Sequence, residues 1–371
     1  MKTPNSMDPT VPLSLKDLIQ NRISSEGPIP FEVFMEMALY HPDLGFFASN
    51  RLRSEMAGDF LTSPEVSALF GETLASYVSV ERERIGEPFR LIEVGAGSGS
   101  LLRSLLSKLD VEVLAIDASP AARASLRDVV PDAAIGTELP ERIRGVILAN
   151  ELIDNLPMAL SQRVGAEWRE RWVGLEEEGL TLVDVAPRPE IAAWLHAYAG
   201  EVLDGGWVEV QLAANSWLTD ALARLEQGSV VVIDYGDTAE NLLPRRQDGT
   251  LRTYRAHHLG PHPLDEPGET DITADVNFSA LMATAEKTGA EVRLLRQDDF
   301  LTELGLRDRL SELRHTELEA ARSGDSMARL QARSMKTEAE TLLHPRGLGD
   351  FRVLIGRRQL RKQNREQSES R

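Results

Sequence analysis

The segment LIEVGAGSGSLL (91–102) carries three glycines at alternate positions, within and directly after an apolar run that contains an acid. Glycine lacks the Cβ that would keep a ligand away from the backbone, so this spacing predicts a turn across which a small molecule lies close to the main chain. The predicted ligand-binding residues of this turn are Glu93, Gly95, Ala96, Gly97 and Gly99.

The spacing also bears on the class of ligand. The dinucleotide fingerprint G-x-G-x-x-G, counted from Gly95, requires glycine where this chain has Ser100. A nucleoside needs a carboxylate for its ribose hydroxyls about 20 residues beyond the glycines, and Asp117, which ends the run VEVLAID (111–117), has that place. We therefore predict a nucleoside site. The alternatives are that Asp117 only begins a helix at Ser119 and that the chain is an NAD-linked oxidoreductase.

The elements that must position these residues alternate between short β-branched runs and helical stretches. The pattern predicts strands within 90–97, 111–117, 144–151, 229–236, 290–297 and 351–358, and helices within 13–23, 31–40, 63–84, 100–109, 191–199, 278–289 and 306–341, with a further helix that begins near residue 119. Such alternation is typical of a parallel sheet with crossover helices.

The same pass along the chain predicts its organisation. We expect a loose N-terminus (1–12), a helical cap (13–88), an α/β core (89–358) with insertions at about 160–228 and 298–349, and a disordered polar tail (359–371).

Composition excludes several classes of function. The chain has 371 residues and a formal net charge of −18, which argues against a nucleic-acid partner because such proteins normally need a basic surface. It has no cysteine, which excludes disulfides, thiolate zinc sites and cysteine nucleophiles. No apolar run is long enough to span a membrane and the first residues do not resemble a signal peptide, so we expect a cytoplasmic protein.

Three motifs together resemble the MidA-like family of S-adenosylmethionine (SAM)-dependent methyltransferases: GDFLTSPE (58–65), EVGAGSGSLL (93–102) and NELIDNLP (150–157). The resemblance runs nearly from end to end and includes HPRGLGDFRVL (344–354). It implies a class I methyltransferase fold, in which a Rossmann-like seven-stranded α/β sheet carries an N-terminal helical cap and hairpin and helical insertions. The implied cofactor is SAM, and the implied product is S-adenosyl-L-homocysteine.

In that family the loop and helix start of the first motif lie over the cofactor pocket, beside the substrate channel. The resemblance therefore implies cofactor contacts from Gly58, Asp59, Thr62, Ser63 and Pro64. A purely structural role is the alternative, because Thr62 and Glu65 also have the spacing of a capping box.

The family includes a mitochondrial complex I assembly factor that dimethylates an arginine of a core complex I subunit, so the resemblance implies a guanidinium acceptor on a protein partner. A guanidinium is planar and permanently cationic, so carboxylates must hold it and localise its charge. We predict that Glu151 is the catalytic clamp, that Asp154 supports it, and that Asn150 contacts the amino-acid portion of SAM. The alternative is that these strand-end residues only satisfy their own turn.

Asp234, His258 and Asp271 are predicted to line the acceptor side of the site. His258 matches a histidine of the family, so a substrate-loop role is preferred. We expect no metal, because no carboxylates at ligand spacing accompany the histidines of this loop.

Two alternatives to a protein arginine methyltransferase remain within the SAM class. One is a methyltransferase with a small-molecule acceptor, and the other is a SAM-binding assembly chaperone without turnover. We expect a protein substrate, such as a respiratory complex I subunit, and the sequence leaves the oligomeric state open, with a homodimer as one option.

Overall fold

The structure is a computed structural model that describes residues 13–48, 67–255 and 258–359. The helices are α1 (Leu15–Glu26), α2 (Phe31–Tyr40), α3 (Ala68–Ile85), α4 (Ser100–Leu106), α5 (Pro120–Val129), α6 (Pro189–Tyr198), α7 (Leu212–Arg224), α8 (Ala239–Leu242), α9 (Phe278–Lys287), α10 (Gln297–Glu303), α11 (Leu306–Ser323) and α12 (Ser326–Leu342). The strands are β1 (Ile29–Pro30), β2 (Arg90–Val94), β3 (Glu112–Ile116), β4 (Ala134–Gly136), β5 (Ile143–Asn150), β6 (Ala159–Val164), β7 (Glu167–Glu176), β8 (Gly179–Val185), β9 (Trp207–Val210), β10 (Leu225–Asp234), β11 (Gly236–Asp237), β12 (Arg252–Arg255), β13 (His258–Leu259), β14 (Asp271–Thr273), β15 (Val276–Asn277), β16 (Glu291–Arg296) and β17 (Arg352–Arg358).

The central sheet has seven strands in the order β4, β3, β2, β5, β10, β17, β16. Strands β4 to β10 pair in parallel, and β17 lies antiparallel between β10 and β16. The predicted α/β architecture with a parallel sheet is therefore confirmed. The chain order reverses between β2 and β5, and in open α/β sheets ligands bind beyond the carboxyl ends of the strands at such a switch point.

Helices cover both faces of this sheet, which explains why its strands read as nearly continuous apolar runs. The face with Leu91, Val231 and Val353 packs against α3, α4, α5 and the α10–α12 segment, and the face with Ile92 and Val232 packs against α7 and α9. Helix α3, which was predicted to be part of the helical cap (13–88), thus packs against the core sheet, and the predicted domain boundaries stay a prediction. The α10–α12 segment lies between β16 and β17, where the second insertion was predicted.

The cap consists of α1, β1 and α2, and it packs on a second sheet. Strand β1 pairs antiparallel with β7, which pairs with β6 and β8, and β6 also pairs with β9. Buried apolar residues of α1 and α2, including Ile19, Phe31 and Phe34, pack against Leu160 and Val173 of this sheet. The cap and strands β6 to β9 therefore form one layer.

Several predicted features lie outside the described residues: the loose N-terminus, the helix start at Thr62–Glu65, and the tail beyond residue 359. The long helix that was expected from Ser63 begins at Ala68, where the Oγ of Ser67 accepts a hydrogen bond from the backbone N–H of Leu69 at 3.0 Å. Within the described ranges, no helix has both the length and the apolar character needed to cross a membrane.

Candidate active site

A cavity of about 740 Å³ lies beyond the carboxyl ends of β2, β3 and β5. Its walls come from the glycine turn, the ends of β3 and β4, the segment 150–157, helix α7, and helix α2 of the cap. The predicted site residues that line it are Glu93, Gly95, Ala96, Gly97, Asp117, Asn150 and Glu151. The predicted cofactor contacts Gly58, Asp59, Thr62, Ser63 and Pro64 lie outside the described residues.

The glycine turn after β2 is held in conformations that favour glycine. Gly95 has a φ of +73°, and its N–H donates to the carbonyl of Ile116 at 2.8 Å, which ties the turn to the end of β3. Gly97 has a φ of +53°, and a Cβ on it would meet nothing closer than the Gly95 carbonyl oxygen at 4.0 Å. Because Gly97 lines the cavity, that Cβ would occupy cavity space, so the bare backbone is what leaves room for a ligand.

Gly99 lies in the packing between two helices, and its predicted contact with the cofactor stays a prediction. It is not among the residues that line the cavity. It precedes α4 in a left-handed conformation with a φ of +80°, and a Cβ on it would lie 3.0 Å from Leu126 Cδ2 and 3.2 Å from Val129 Cγ1 of helix α5. Glycine is thus needed here for the packing of α4 against α5, whereas a direct contact with the cofactor has no support from this placement.

The carboxylate of Asp117 joins the glycine turn to the start of α5. One oxygen accepts from the N–H of Gly97 at 2.9 Å, and the other accepts from the N–H of Ser119 at 2.8 Å. Burial raises the pKa of Asp117, and these two hydrogen bonds to the charged form oppose that rise. The carboxylate therefore orders two loops, as the helix-start interpretation requires, and it also borders the cavity, where contact with a ligand stays a prediction.

Glu93 lies at the floor of the cavity and is only 3% exposed. Burial, together with the nearby charge of Asp117, raises its pKa well above the ordinary value. Its Oε2 atom has no hydrogen-bond partner within the described part of the chain. Buried polar atoms without partners are rare in folded proteins, so this oxygen is available to a ligand group.

Asn150 and Glu151 leave the end of β5 in a strained turn. Glu151 has a φ of +50°, the one positive φ of a non-glycine residue in the described ranges, and such strain costs about 1–3 kcal/mol. Its N–H donates to the carbonyl of Ile233 on the neighbouring strand at 2.8 Å. The Nδ2 of Asn150 donates to Glu151 Oε1 at 3.3 Å, while Asn150 Oδ1 has no partner among the described residues.

Asp154 and Asp234 lie beneath this turn and do not line the cavity. Both are fully buried. The carboxylate of Asp234 accepts from the N–H groups of Ile153 at 2.9 Å and Asp154 at 3.3 Å, and Asp154 accepts a hydrogen bond from the Tyr235 hydroxyl. Burial, and then the charges of Asp154 and Glu151, raises the pKa of Asp234 well above its ordinary value. The pair thus supports the segment that carries Glu151, and contact with an acceptor stays a prediction.

The other predicted acceptor residues are also away from the cavity wall. Asp271 is buried on β14, where its carboxylate accepts a hydrogen bond from Asn155 Nδ2 at 2.8 Å. His258 is exposed on β13, in the small sheet of β12, β13 and β14. A substrate-binding role for either residue stays a prediction. Across the residues that the structure describes, no three His, Asp or Glu side chains are grouped to hold a metal ion.

The structure adds cavity residues that the sequence reasoning missed. Helix α2 and the turn after it contribute Glu36, Tyr40 and Phe47. The hydroxyl of Tyr40 donates to the carbonyl of Asn155 at 3.3 Å, which fixes the cap against the segment after Glu151. The far end of the cavity is bordered by Thr137, Glu138 and Leu139 after β4 and by Trp217, Asp220 and Arg224 of α7. Only the helical spacing of Glu36 and Tyr40 could have signalled a shared face.

The arrangement suits a nucleoside ligand with a polar tail. Beside the exposed backbone of Gly97, the carboxylate of Asp117 is oriented by two amides, and Glu93 and Asn150 each keep an oxygen without a partner among the described residues. Glu151 adds a carboxylate at the β5 end, on the opposite side of β2 from Asp117. Such a cavity can bind a charged small molecule at one end and present a second reactant to it at the other.

Comparisons with known proteins identify the ligand class. The family model described as "Putative S-adenosyl-L-methionine-dependent methyltransferase" matches residues 73–295. The mitochondrial protein arginine methyltransferase NDUFAF7 of Homo sapiens is 28% identical over 334 residues, which cover 79% of this chain and 73% of that protein. Its mitochondrial homologue in Drosophila melanogaster is 29% identical over 320 residues, which cover 74% of this chain and 71% of the relative.

A solved structure agrees with these relatives. A Burkholderia thailandensis protein, crystallised with bound S-adenosyl-homocysteine, superposes with a TM-score of 0.81 and 29% identity, over 94% of this chain and 92% of that one. The findings confirm the predicted resemblance, the class I α/β fold and SAM as the cofactor. The alternative of an NAD-linked oxidoreductase has no support.

Proposed function

As this chain belongs to the family of S-adenosyl-L-methionine-dependent methyltransferases, we propose that it transfers the methyl group of SAM to an arginine nitrogen of a protein partner. Two relatives over most of its length are described as protein arginine methyltransferases. The observation that carries the proposal is Glu151, a buried carboxylate that a strained backbone holds at the cavity wall. A guanidinium acceptor requires such a group, whereas a neutral acceptor does not.

Methyl transfer requires the protein mainly to position the acceptor nitrogen and to stabilise the charge of the guanidinium. When bound, SAM supplies a sulfonium methyl that a nitrogen lone pair can attack in line, so that the new C–N bond forms as the C–S bond breaks. Glu151 would accept hydrogen bonds from the guanidinium and hold one nitrogen in line for attack. The methylated nitrogen would release one proton to solvent, so that the product keeps a single positive charge, which Glu151 would stabilise. Leu152, Leu156 and Pro157 border the same end of the cavity and would keep water from the reacting atoms.

The proposed partner rests on the net charge of the chain and on its family resemblance. The net charge of −18 is compatible with a basic segment as substrate. The resemblance implies a respiratory complex I subunit, which we retain as the proposed partner. The relatives are described as mitochondrial, and the cytoplasmic location expected from the sequence stays a prediction, as does a homodimer.

The test is transfer of labelled methyl to proteins of an extract from cells that lack this enzyme. Wild-type protein and methyl-labelled SAM should yield methylarginine after acid hydrolysis. Glu151→Gln should reduce that label by about 100-fold or more while it binds SAM within about threefold of wild type, since the lost group acts on the acceptor. Glu177→Gln makes the same charge change in the exposed turn between β7 and β8, and should leave the label unchanged.

The outcomes separate the alternatives. Label on a residue other than arginine, or on a small molecule, would show that the acceptor is wrongly assigned. If no label is transferred and both wild type and Glu151→Gln capture the same partner, the protein acts as a SAM-binding chaperone and the proposal fails.

A further inference from the structure

One wall of the cavity comes from a part of the chain far from the cofactor motifs. We define the cap wall as Glu36 and Tyr40 of α2 together with Phe47 of the turn that follows it; all three line the cavity. Glu36 and Tyr40 are four residues apart, so they project from the same face of the helix. The opposite face of α2 buries Phe31, Phe34 and Met35 in the cap, which makes this wall a fixed surface.

Glu36 has a carboxylate without a hydrogen-bond or ion-pair partner in the part of the chain that the structure describes. In contrast, Glu32 on the same helix pairs with Arg188. Glu36 is accessible from the cavity, and partial desolvation still raises its pKa. A carboxylate that has lost part of its hydration without gaining a counter-charge is suited to bind a cation.

The two aromatic residues of the cap wall suit the same kind of ligand. The rings of Tyr40 and Phe47 lie 5.3 Å apart, tilted by 38°. Aromatic faces attract guanidinium and ammonium groups, more strongly where water is excluded. A carboxylate beside two rings is therefore a surface for a planar or alkylated cation, and it remains so after methylation because a methylguanidinium keeps its charge.

The position of the cap wall assigns it to the acceptor end of the cavity. The hydrogen bond from Tyr40 to the carbonyl of Asn155 holds the wall against the segment that begins at Glu151. Asp117, which marks the ribose end, follows β3, and β2 separates β3 from β5. The cap wall and Glu151 thus border the same end, away from Asp117.

We propose that the cap wall is the acceptor subsite, and that Glu36, Tyr40 and Phe47 bind the cationic side chain that is presented to Glu151. This inference rests on the proposed function, and it names the recognition element that the function needs. The subsite discriminates by charge, so it accepts a guanidinium and rejects the neutral urea group of the same shape.

The test uses two small probes and the protein loaded with S-adenosyl-homocysteine. The probes are N-acetyl-arginine methylamide and its citrulline counterpart, which has the same shape without the charge, and binding is measured by NMR titration. Wild-type protein should prefer the arginine probe by about tenfold or more, as expected for hydrogen bonds to a charged group. Glu36→Gln should reduce the preference to the part that Glu151 supplies, and Phe47→Leu should weaken binding of the arginine probe only. Asp43→Asn, the same charge change at an exposed position of the cap, should behave as wild type.

Each contrary result overturns the inference. If wild type binds neither probe or binds both equally, or if Glu36→Gln shows the full wild-type preference, the cap wall does not recognise the acceptor cation. If Glu36→Gln weakens the binding of SAM by tenfold while the full discrimination between the probes persists, the cap wall belongs to the cofactor site. Failure of the methylarginine assay in wild type would instead refute the proposed function. Methylarginine formation with unchanged Glu36→Gln kinetics would refute only the cap-wall subsite.

Discussion

Gly97 and Gly99 are two residues apart in one turn, both have positive φ, and the structure predicts opposite consequences for the same substitution. Gly97 lines the cavity, and an alanine Cβ on it would approach no described residue beyond its chain neighbours more closely than the Gly95 carbonyl oxygen, at 4.0 Å. An alanine Cβ at Gly99 would instead lie 3.0 Å from Leu126 and 3.2 Å from Val129, within the packing between α4 and α5. Gly97→Ala should therefore affect the cofactor, and Gly99→Ala should affect the fold.

The expected magnitudes follow from these environments. A left-handed conformation costs a non-glycine residue about 1–2 kcal/mol. The substitution also lowers the conformational entropy of the unfolded chain, which offsets about 0.4–1 kcal/mol of that cost. Gly97→Ala should thus lower the free energy of unfolding by about 1 kcal/mol. Gly99→Ala adds overpacking of about 1–3 kcal/mol, for a total of about 2–4 kcal/mol. A methyl group at Gly97 in the space that the cofactor occupies should weaken the binding of SAM by tenfold or more, which corresponds to about 1.4 kcal/mol or more.

Urea denaturation gives the two stabilities, and calorimetric titration with SAM, corrected for the folded fraction, gives the two affinities. We expect Gly99→Ala to bind SAM within about threefold of wild type. Wild-type affinity in Gly97→Ala would mean that the cofactor does not pass over this glycine. A loss of affinity in Gly99→Ala without loss of stability would refute the division of roles between the two glycines.

The remaining predictions concern buried acids. The raised pKa of Glu93 means that the folded protein holds this proton more tightly than the unfolded chain, so its contribution to stability is present below about pH 4.3 and is lost as pH rises toward the folded pKa. Glu93→Gln should therefore reduce the fall in the free energy of unfolding between pH 5 and 7.5, and an unchanged slope would contradict the assignment. Tyr235→Phe removes a donor to buried Asp154 and should cost about 1–3 kcal/mol. Tyr77→Phe, which removes a hydrogen bond to the hydroxyl of Ser229, should cost about 0.5–1.5 kcal/mol, and equal losses of the free energy of unfolding in urea would contradict the larger cost expected at the Asp154 carboxyl.

Much of the central fold could be predicted because its signals are local. The strands of the parallel sheet are buried on both faces, so each appears as a short apolar run between helices, and β2, β3, β5 and β17 lie where those runs are. Strand β4, at Ala134–Gly136, was missed because one exposed and two half-buried residues form no such run. The pairing of β1 with β7 was also missed, since a two-residue strand is defined by its partner and has no pattern of its own.

The candidate site was predictable where chemistry demands a residue type. The cavity is lined as expected by Gly97, Asp117 and Glu151. The sequence predicts them because an exposed backbone requires glycine, a ribose acceptor requires a carboxylate, and Glu151 is a carboxylate at the end of a strand. Gly99 is also a glycine of this motif but for a different reason, since a left-handed residue that packs on a neighbouring helix also requires glycine. The sequence indicates for Glu36 only that it shares a helix face with Tyr40, and nothing in it distinguishes this residue from any other exposed helical acid until the fold brings it to the cavity.

The strain at Glu151 connects the buried acids to function. Asp234 accepts two backbone N–H groups of the following turn, and the Glu151 N–H reaches the carbonyl of Ile233, so β10 supports the strained residue from below. Burying Asp234 is itself unfavourable to its charge, as its raised pKa shows. A fold that needed only to close this turn could do so with apolar side chains and an unstrained residue. Two such costs at one turn are understandable if the orientation of the Glu151 carboxylate is what they maintain, which is the property that an acceptor clamp requires.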